Sequence, residues 1–364
     1  VLLLTLCWIL VRKKYGFWKR LGVSGPKPQF PFGNLRGVGT HNHSSQVIDK
    51  LYHSCKGQDL MVGIYFFLKP VALVLDLNLA HDILVKDFKV FPDHGMFYYN
   101  ERDDPLTAHL FALEGDKWKQ LRKKLSPAFS TAKISTMFPL LKIVAHQLDE
   151  AVAVPAANCS VIDVVEYASR YTTDIIGNYA FGIDCNSLNE RENMFYRMGR
   201  RILTEMRTFE LIKFFVCSIY TTLARFLRVK IVVPEASNFY VGILRETIKH
   251  REETGTVRKD LIDMMMQIRR DGKLEDSPEV LGSMTFNEIA AQVFGFFIAN
   301  FETSALTITA CLYELSLQPQ IQELAHDEIV KCAQEEITYE SLMGMKYLSQ
   351  IINGKDTYQR EIFF

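Results

Sequence analysis

The 364-residue sequence lacks an excess of either charge: lysine plus arginine and aspartate plus glutamate each total 42. A chain without surplus basic charge is a poor candidate for wrapping nucleic acid through its phosphates. Paired cysteines are missing too. The seven cysteines are an odd number and none forms a C-x-x-C pair, which fits a reducing compartment better than a disulfide framework. No repeat of about 20 to 50 residues, no Gly-X-Y period and no long heptad run is visible, which excludes solenoids, collagen and coiled coils. What is there is apolar. Hydrophobic residues make up 48% against 23% charged, enough for a real core, and 25 Phe with 15 Tyr suit an apolar pocket as well as a core. These balances describe a globular enzyme, soluble or tethered to a membrane.

The chain opens on an uncharged apolar run, residues 1–11, which as a helix rises about 16 Å, roughly half a bilayer core. Arg12, Lys13, Lys14, Lys19 and Arg20 follow with no acid among them. Positive charge after the apolar run is the reverse of a cleaved signal peptide. By the positive-inside rule it reads as the tail of a signal anchor with the rest of the chain in the cytosol; a buried N-terminal helix is the alternative. Pro26, Pro28 and Pro31 then stiffen a strap that would orient whatever the anchor carries.

Residues 59–67 and 71–75 read as two strands around Lys69-Pro70, and helical spacing dominates from about residue 116. Residues 209–232 are apolar with scattered basic residues, either a second membrane-touching surface or a core helix pair. Thr285-Phe-Asn-Glu288 is a capping box, and nothing breaks the pattern after it until Pro319. That predicts one helix of about 32 residues, near 48 Å long. Residues 293–301 are apolar nearly all round, so this helix should be buried on most sides; Asn300 and Glu302 in its middle argue against a membrane span. Glu302-Thr303-Ser304 thus places an acid and two hydroxyls inside a buried helix. Either Thr303 bonds the carbonyl of Ala299 and bends the helix, or acid and alcohol form a proton-delivery site.

Several of these segments form an ordered set. After the Pro-rich strap come Phe91-Pro-Asp-His-Gly95, Trp118-Lys-Gln-Leu-Arg122, Arg170-Tyr-Thr-Thr-Asp-Ile-Ile-Gly177 with Ala180-Phe-Gly182, and Ala299-Asn-Phe-Glu-Thr-Ser304. In this order they resemble the hinge, the W-x-x-x-R helix, the helix after it and the oxygen-binding A/G-G-x-D/E-T-T/S motif of the cytochrome P-450 haem-thiolate monooxygenases. The resemblance is strongest to the insect microsomal branch that oxidises foreign and dietary compounds, and it runs from the anchor to about Asn353.

The resemblance implies a mainly α fold with a small β-sheet (α+β). It divides the chain into anchor and basic flank (1–20), hinge (21–35), partial monooxygenase domain (36–353) and divergent tail (354–364). It implies a haem cofactor, electrons from NADPH through a flavoprotein reductase, and insertion of one oxygen atom from dioxygen into a small hydrophobic substrate. The location implied is the endoplasmic reticulum membrane, with the catalytic domain on the cytosolic side. Trp118 and Arg122, which share one helix face, would hydrogen-bond a haem propionate, with Ala299 beside the haem; taken alone the pair is a surface cation–π contact. Glu302 and Thr303 would deliver protons and hold the oxygen-bound network. Lys117, Lys119, Lys123 and Lys124, otherwise a solvated face, would dock the reductase. Phe97, Tyr98, Tyr99, Phe111, Phe296 and Phe297 are pocket walls or ordinary core.

Departures from the family pattern carry expectations of their own. His94 precedes Gly95 where members usually have Arg. Asn300 stands at the motif's usual glycine, adding bulk and an amide next to the catalytic pair. The E-x-x-R helix is not found after Asn353, and no cysteine has a glycine four residues before it, as the haem loop F-x-x-G-x-R-x-C requires. No iron ligand is therefore assigned, and these residues alone are expected to bind little haem and to aggregate. The alternative to a partial monooxygenase is a catalytically dead product that occupies the membrane or the reductase.

Overall fold

The computed structural model describes residues 2–38, 42–95, 98–190, 192–258, 260–274 and 280–362. It divides into two compact units, Val1–Asp93 with Glu361–Phe364, and His94–Arg360.

The first unit begins with α1 (Leu2–Tyr15), whose last turn holds Arg12, Lys13 and Lys14, the charge that complements a helix C-terminus. Farther along stands α2 (Ser44–Cys55). Strands β1 (Met61–Phe66) and β2 (Lys69–Val74) pair antiparallel, from Met61 opposite Val74 to Phe66 opposite Lys69. The turn is therefore Phe67-Leu68, and Lys69-Pro70 opens β2 instead of forming the turn. Pro70, opposite Tyr65, is tolerated because β2 is an edge strand whose donors need not all be paired. Val62, Ile64 and Leu75 pack with Cys55 of α2.

The Pro-rich strap is tied to β1. Gly63 N donates to Ser24 O at 2.8 Å and Tyr65 N to Asn34 Oδ1 at 2.8 Å. A Cβ on Gly25 would stand 2.0 Å from Gly63 O, and one on Gly63 would enter the Trp18 ring at 2.2 Å. Only glycine permits that stack. Trp18 Nε1 also donates to Ile64 O at 3.0 Å, and the Tyr65 hydroxyl donates to Tyr15 O, at the end of α1, at 2.7 Å.

The second unit is helical. Its main elements are α3 (Gly115–Leu125), α4 (Thr131–Ala157), α5 (Val164–Ile176), α6 (Met194–Leu203), α7 (Thr208–Ile219), α8 (Pro234–Thr254), α9 (Leu261–Asp271), α10 (Phe286–Phe301), α11 (Thr303–Ser316), α12 (Pro319–Cys332) and α13 (Lys346–Ile362). Aromatic rings fill the core. Phe195 and Phe297 meet edge to face at 5.3 Å, Phe181 and Phe195 at 5.0 Å, and Tyr240 lies 4.8 Å from Phe297. Gly199 makes room: a Cβ there would sit 2.5 Å from the Phe301 ring.

A buried ion cluster closes one side of this core. Arg251, 3% exposed, bonds Asp260, 0% exposed, at 2.6 Å and also pairs with Asp263, while Arg258 donates to Gly182 O at 2.6 Å and Asn178 Oδ1 at 2.7 Å. Gly182 adopts φ 66°, and a Cβ there would lie 2.0 Å from Arg251 Nη2.

The long helix differs from the single 32-residue rod that the sequence pattern predicts. Its capping box forms, with Thr285 N donating to Glu288 Oε2 at 2.7 Å and Glu288 N to Thr285 Oγ1 at 3.2 Å. The helix is then interrupted at Glu302. A side chain of α5 bonds the helix at this point. Thr172 Oγ1 donates to Phe301 O at 3.0 Å, supplying that buried carbonyl with a partner from outside the helix. Phe286–Ser316 is long and apolar enough to cross a membrane, yet Ile289, Val293, Phe294, Phe297 and Phe301 are buried in the core, as befits a central helix of a folded domain.

Candidate functional site

Helical periodicity separates α10 and α11 into two faces. Ile289, Val293, Phe297, Phe301 and Ala305 are buried. The other face presents Phe296, Ala299 and Asn300, all half-buried, and Thr303, which is exposed. The motif residues thus stand on the open side of the helix, not inside it. Among the described residues this side is less buried than the other, although Phe129 packs on it at Phe296.

Around the interruption the polar groups are held by their own helix. Thr303 Oγ1 donates to Ala299 O, and Ser304 Oγ donates to Asn300 Oδ1 at 3.1 Å. Both bonds span one turn and cross the point where Glu302, half-buried, leaves regular helix. With its proton on the Ala299 carbonyl, the Thr303 hydroxyl still offers a lone pair.

Trp118 and Arg122 share a face of α3, the indole half-buried and the guanidinium exposed. Two contacts bring this helix to the long one. Lys124 Nζ donates to Ser283 O at 2.7 Å, just before α10. Phe129, in the 3-10 turn Ser126–Phe129 that follows α3, lies 5.3 Å from Phe296. Two aromatic rings, an alcohol and a carboxyl therefore occur along the less buried face of the long helix, and the helix that carries the Trp118 indole and the Arg122 guanidinium is tied to the segment just before it.

The remaining expected residues lie elsewhere. Phe297 is 0% exposed, enclosed by Phe195, Tyr240 and Phe301, so it is core. Tyr98 is buried with Cys217 and Ala224, its hydroxyl donating to Val229 O at 2.7 Å; burial raises its pKa. Phe111 is exposed and stacks on His94 at 5.5 Å. Phe97 lies outside the described residues. Lys117 is paired with Glu101 at 2.7 Å and Lys119 with Asp116 at 3.4 Å, while Lys123 is exposed.

Sequence reasoning missed the residues that place this face. Thr172 was one. Gln292, 1% exposed, is another: its Oε1 accepts from Leu110 N at 2.9 Å and its Nε2 donates to Ala108 O at 3.2 Å, clamping the intervening His109 onto α10. His109 Nδ1 is sealed from solvent without a hydrogen-bond partner, and burial pushes the imidazole pKa down to about 4. A glutamine inside an apolar run was the only available signal. A cavity of about 400 Å³ also adjoins α3, but it is lined by Lys117, Gln120, Lys124, Glu288 and Gln292 and by none of the open-face residues.

This donor set suits one side of a haem: an indole N–H and a guanidinium match anionic carboxylates, and alcohol and carboxyl flank an apolar wall. The axial thiolate is another matter. Cys185 and Cys217 are buried and burial pushes both thiols up, away from the thiolate form. Among the described residues no group of His, Cys, Asp and Glu could hold a metal ion.

Comparison with known proteins agrees with the motif order. The family model for Cytochrome P450 matches residues 23–353. Cytochrome P450 6A1 of Musca domestica is 37% identical over 355 residues, covering 96% of this chain and 69% of the relative. Cytochrome P450 6a2 of Drosophila melanogaster is 37% identical over 352 residues, 94% of this chain and 69% of the relative. Probable cytochrome P450 6a14 of the same fly is 36% identical over 362 residues, with coverages of 96% and 71%. The helical second unit, the small antiparallel sheet and the open motif face have the same explanation: the chain belongs to the cytochrome P450 family of haem-thiolate monooxygenases, within its insect 6A-like branch.

Proposed function

We propose that this chain acts as a membrane-bound haem-thiolate monooxygenase that inserts one atom of dioxygen into small hydrophobic molecules, with electrons from NADPH through a flavoprotein reductase. The observation that carries this reading is the open face of α10 and α11, where Ala299, Asn300, Glu302 and Thr303 stand at the helix interruption with Phe296 beside them. When bound, the haem supplies oxygen activation. Trp118 and Arg122 would hold its carboxylates by charge-assisted bonds. Thr303, its proton committed to the Ala299 carbonyl, would accept at Oγ1 and so orient a protonated neighbour. Glu302 would hand over the proton. Phe296 and Phe129 would exclude water and favour apolar substrates.

Membrane attachment is part of the same reading. The uncharged start of α1 with its basic last turn would insert, leaving the second unit in the cytosol at the endoplasmic reticulum. The exposed side chains of residues 209–227 would touch the bilayer. Lys119 and Lys123 on α3 would steer the reductase.

A second reading, a product that occupies membrane or reductase without catalysis, rests on the cysteines: none of the seven stands in the F-x-x-G-x-R-x-C pattern. The reduced, carbon monoxide-treated protein decides between them. The absence of a thiolate-type Soret band from these residues supports the second reading for them as they stand, and a normal band supports the first. In the haem-loaded protein, Glu302→Gln should slow turnover by about 10²-fold, the usual weight of a positioned acid.

A further inference from the structure

One buried titratable group of the second unit has no role in the chemistry proposed for Glu302 and Thr303. His109 rests on α10 at Gly295, where a Cβ on the glycine would stand 2.7 Å from His109 Cβ and 3.6 Å from Nδ1. Gln292 holds the backbone on both sides, through Leu110 N at 2.9 Å and Ala108 O at 3.2 Å, so the ring is fixed in place. Gly295 and Ala299 are four residues apart and share one stripe of the helix, about 6 Å apart along its axis. Both are half-buried, as is Phe296. The imidazole therefore stands at the edge of the open motif face.

Its two ring nitrogens differ. Nδ1 is sealed and without a partner; Nε2 is not sealed, and no bond from it is found among the described residues. A neutral imidazole carries one N–H, and placing it on Nδ1 would strand a buried donor. The proton therefore sits on Nε2. A second proton is resisted, because burial alone lowers the pKa to about 4 and no charged side chain contributes to the shift. At neutral pH the residue is an uncharged donor beside Gly295, Phe296 and Ala299. A cation at this place would call for an anion. A neutral N–H asks only for an oxygen lone pair.

We infer that the His109 Nε2–H is a specificity-determining donor that selects, among small apolar substrates, those carrying a neutral acceptor oxygen such as a ketone, ether or ester carbonyl. The inference rests on the monooxygenase reading above and names the substrate class of that face. The N–H would hold the acceptor at the Gly295 end, while the apolar remainder lies along Phe296 and Ala299 toward Thr303. A hydrocarbon of the same shape would strip the N–H of water and return no bond, and a carboxylate would gain no counter-charge from a neutral ring.

The test is equilibrium dialysis of the full chain, supplied with haem, against two probes of like shape, 2-acetylnaphthalene and 2-isopropylnaphthalene. The ratio of their affinities should favour the ketone by about three- to tenfold more in the unmodified chain than in His109→Leu. His109→Gln, whose amide can donate near the place of Nε2, should restore part of the difference, which a merely structural histidine would not. The ratio should be the same at pH about 5.5 and about 8; a preference that grows as the pH falls through about 6.5 would signal an ordinary imidazolium and overturn the inference. Nitrogen NMR of the histidine-labelled unmodified chain checks the donor without a substitution. An imidazole still neutral at pH about 5.5 should show the Nε2–H tautomer, its N–H moving on addition of the ketone and not of the hydrocarbon. The Nδ1–H tautomer overturns the inference. An unchanged ratio in His109→Leu overturns it too and leaves the monooxygenase reading standing, whereas binding of neither probe by the unmodified chain overturns both.

Discussion

Gly295 and His109 meet so closely that a Cβ on the glycine would stand 2.7 Å from Cβ of the histidine. The backbone on either side of His109 is held by Gln292, one turn earlier on the same helix, so the histidine cannot retreat without breaking two bonds. Gly295→Ala should therefore cost about 1–3 kcal/mol, the range for overpacking a fixed contact. Gly242→Ala is the control, since a Cβ there meets nothing within 4 Å and sits inside α8. It should be neutral or stabilising by up to about 1 kcal/mol. The urea unfolding midpoint should fall for Gly295→Ala and hold or rise for Gly242→Ala.

His109 also links stability to pH. Its folded pKa is lowered to about 4 by burial, below the ordinary 6.5, so the unfolded chain binds more protons between those values. Stability is thus fully present above pH about 6.5 and falls as the pH drops toward about 4. In His109→Leu, the part of the urea-midpoint slope across this window that belongs to the histidine should vanish. An unchanged slope would mean that other groups carry it.

The ion cluster at α8 and α9 is the most sensitive polar feature of the core. Arg251→Met leaves Asp260, fully buried, without its guanidinium. The expected loss is about 3–5 kcal/mol, the penalty for stranding a buried charge. Adding Asp260→Asn to that variant should recover part of it, which a double-mutant cycle would read directly.

Two hydroxyls on either side of the Glu302 interruption should differ in weight. Thr172→Val strands the buried Phe301 carbonyl and should cost about 1–3 kcal/mol. Thr303→Ala frees a carbonyl near an exposed side chain and should change stability by less than about 1 kcal/mol. A thermal melt ranks them. In haem-loaded protein the order should reverse for coupling of reducing equivalents to product.

Some of this was legible in the chain and some was not. Thr285 and Glu288 announce the start of the long helix because a capping box is local, and Trp118 and Arg122 share a face through spacing alone. The two strands could be read to within a few residues, though the turn fell at Phe67-Leu68. The bond from Thr303 to the Ala299 carbonyl at the Glu302 interruption was legible because it is local, whereas the bond from Thr172 to the Phe301 carbonyl, 129 residues away, was not. Phe296 and Phe297 look alike in sequence. Only the packing of Phe195 and Tyr240 around one of them makes it core. The lysines of α3 read as a free cationic face until Glu101 and Ser283 are seen to hold two of them.

In the first unit, Trp18 lies against Gly63, and Tyr65 reaches the last carbonyl of α1. Such a joint has no play. A loose tether would let the unit it carries swing through a cone set by its contour length. Here the indole works as a wedge and the phenol as a bolt, so any tilt of α1 becomes a tilt of β1 and β2. Substituting Gly63 would therefore change the angle at which the sheet meets α1 rather than the integrity of either element, much as a bent hinge pin leaves a door hung but out of true.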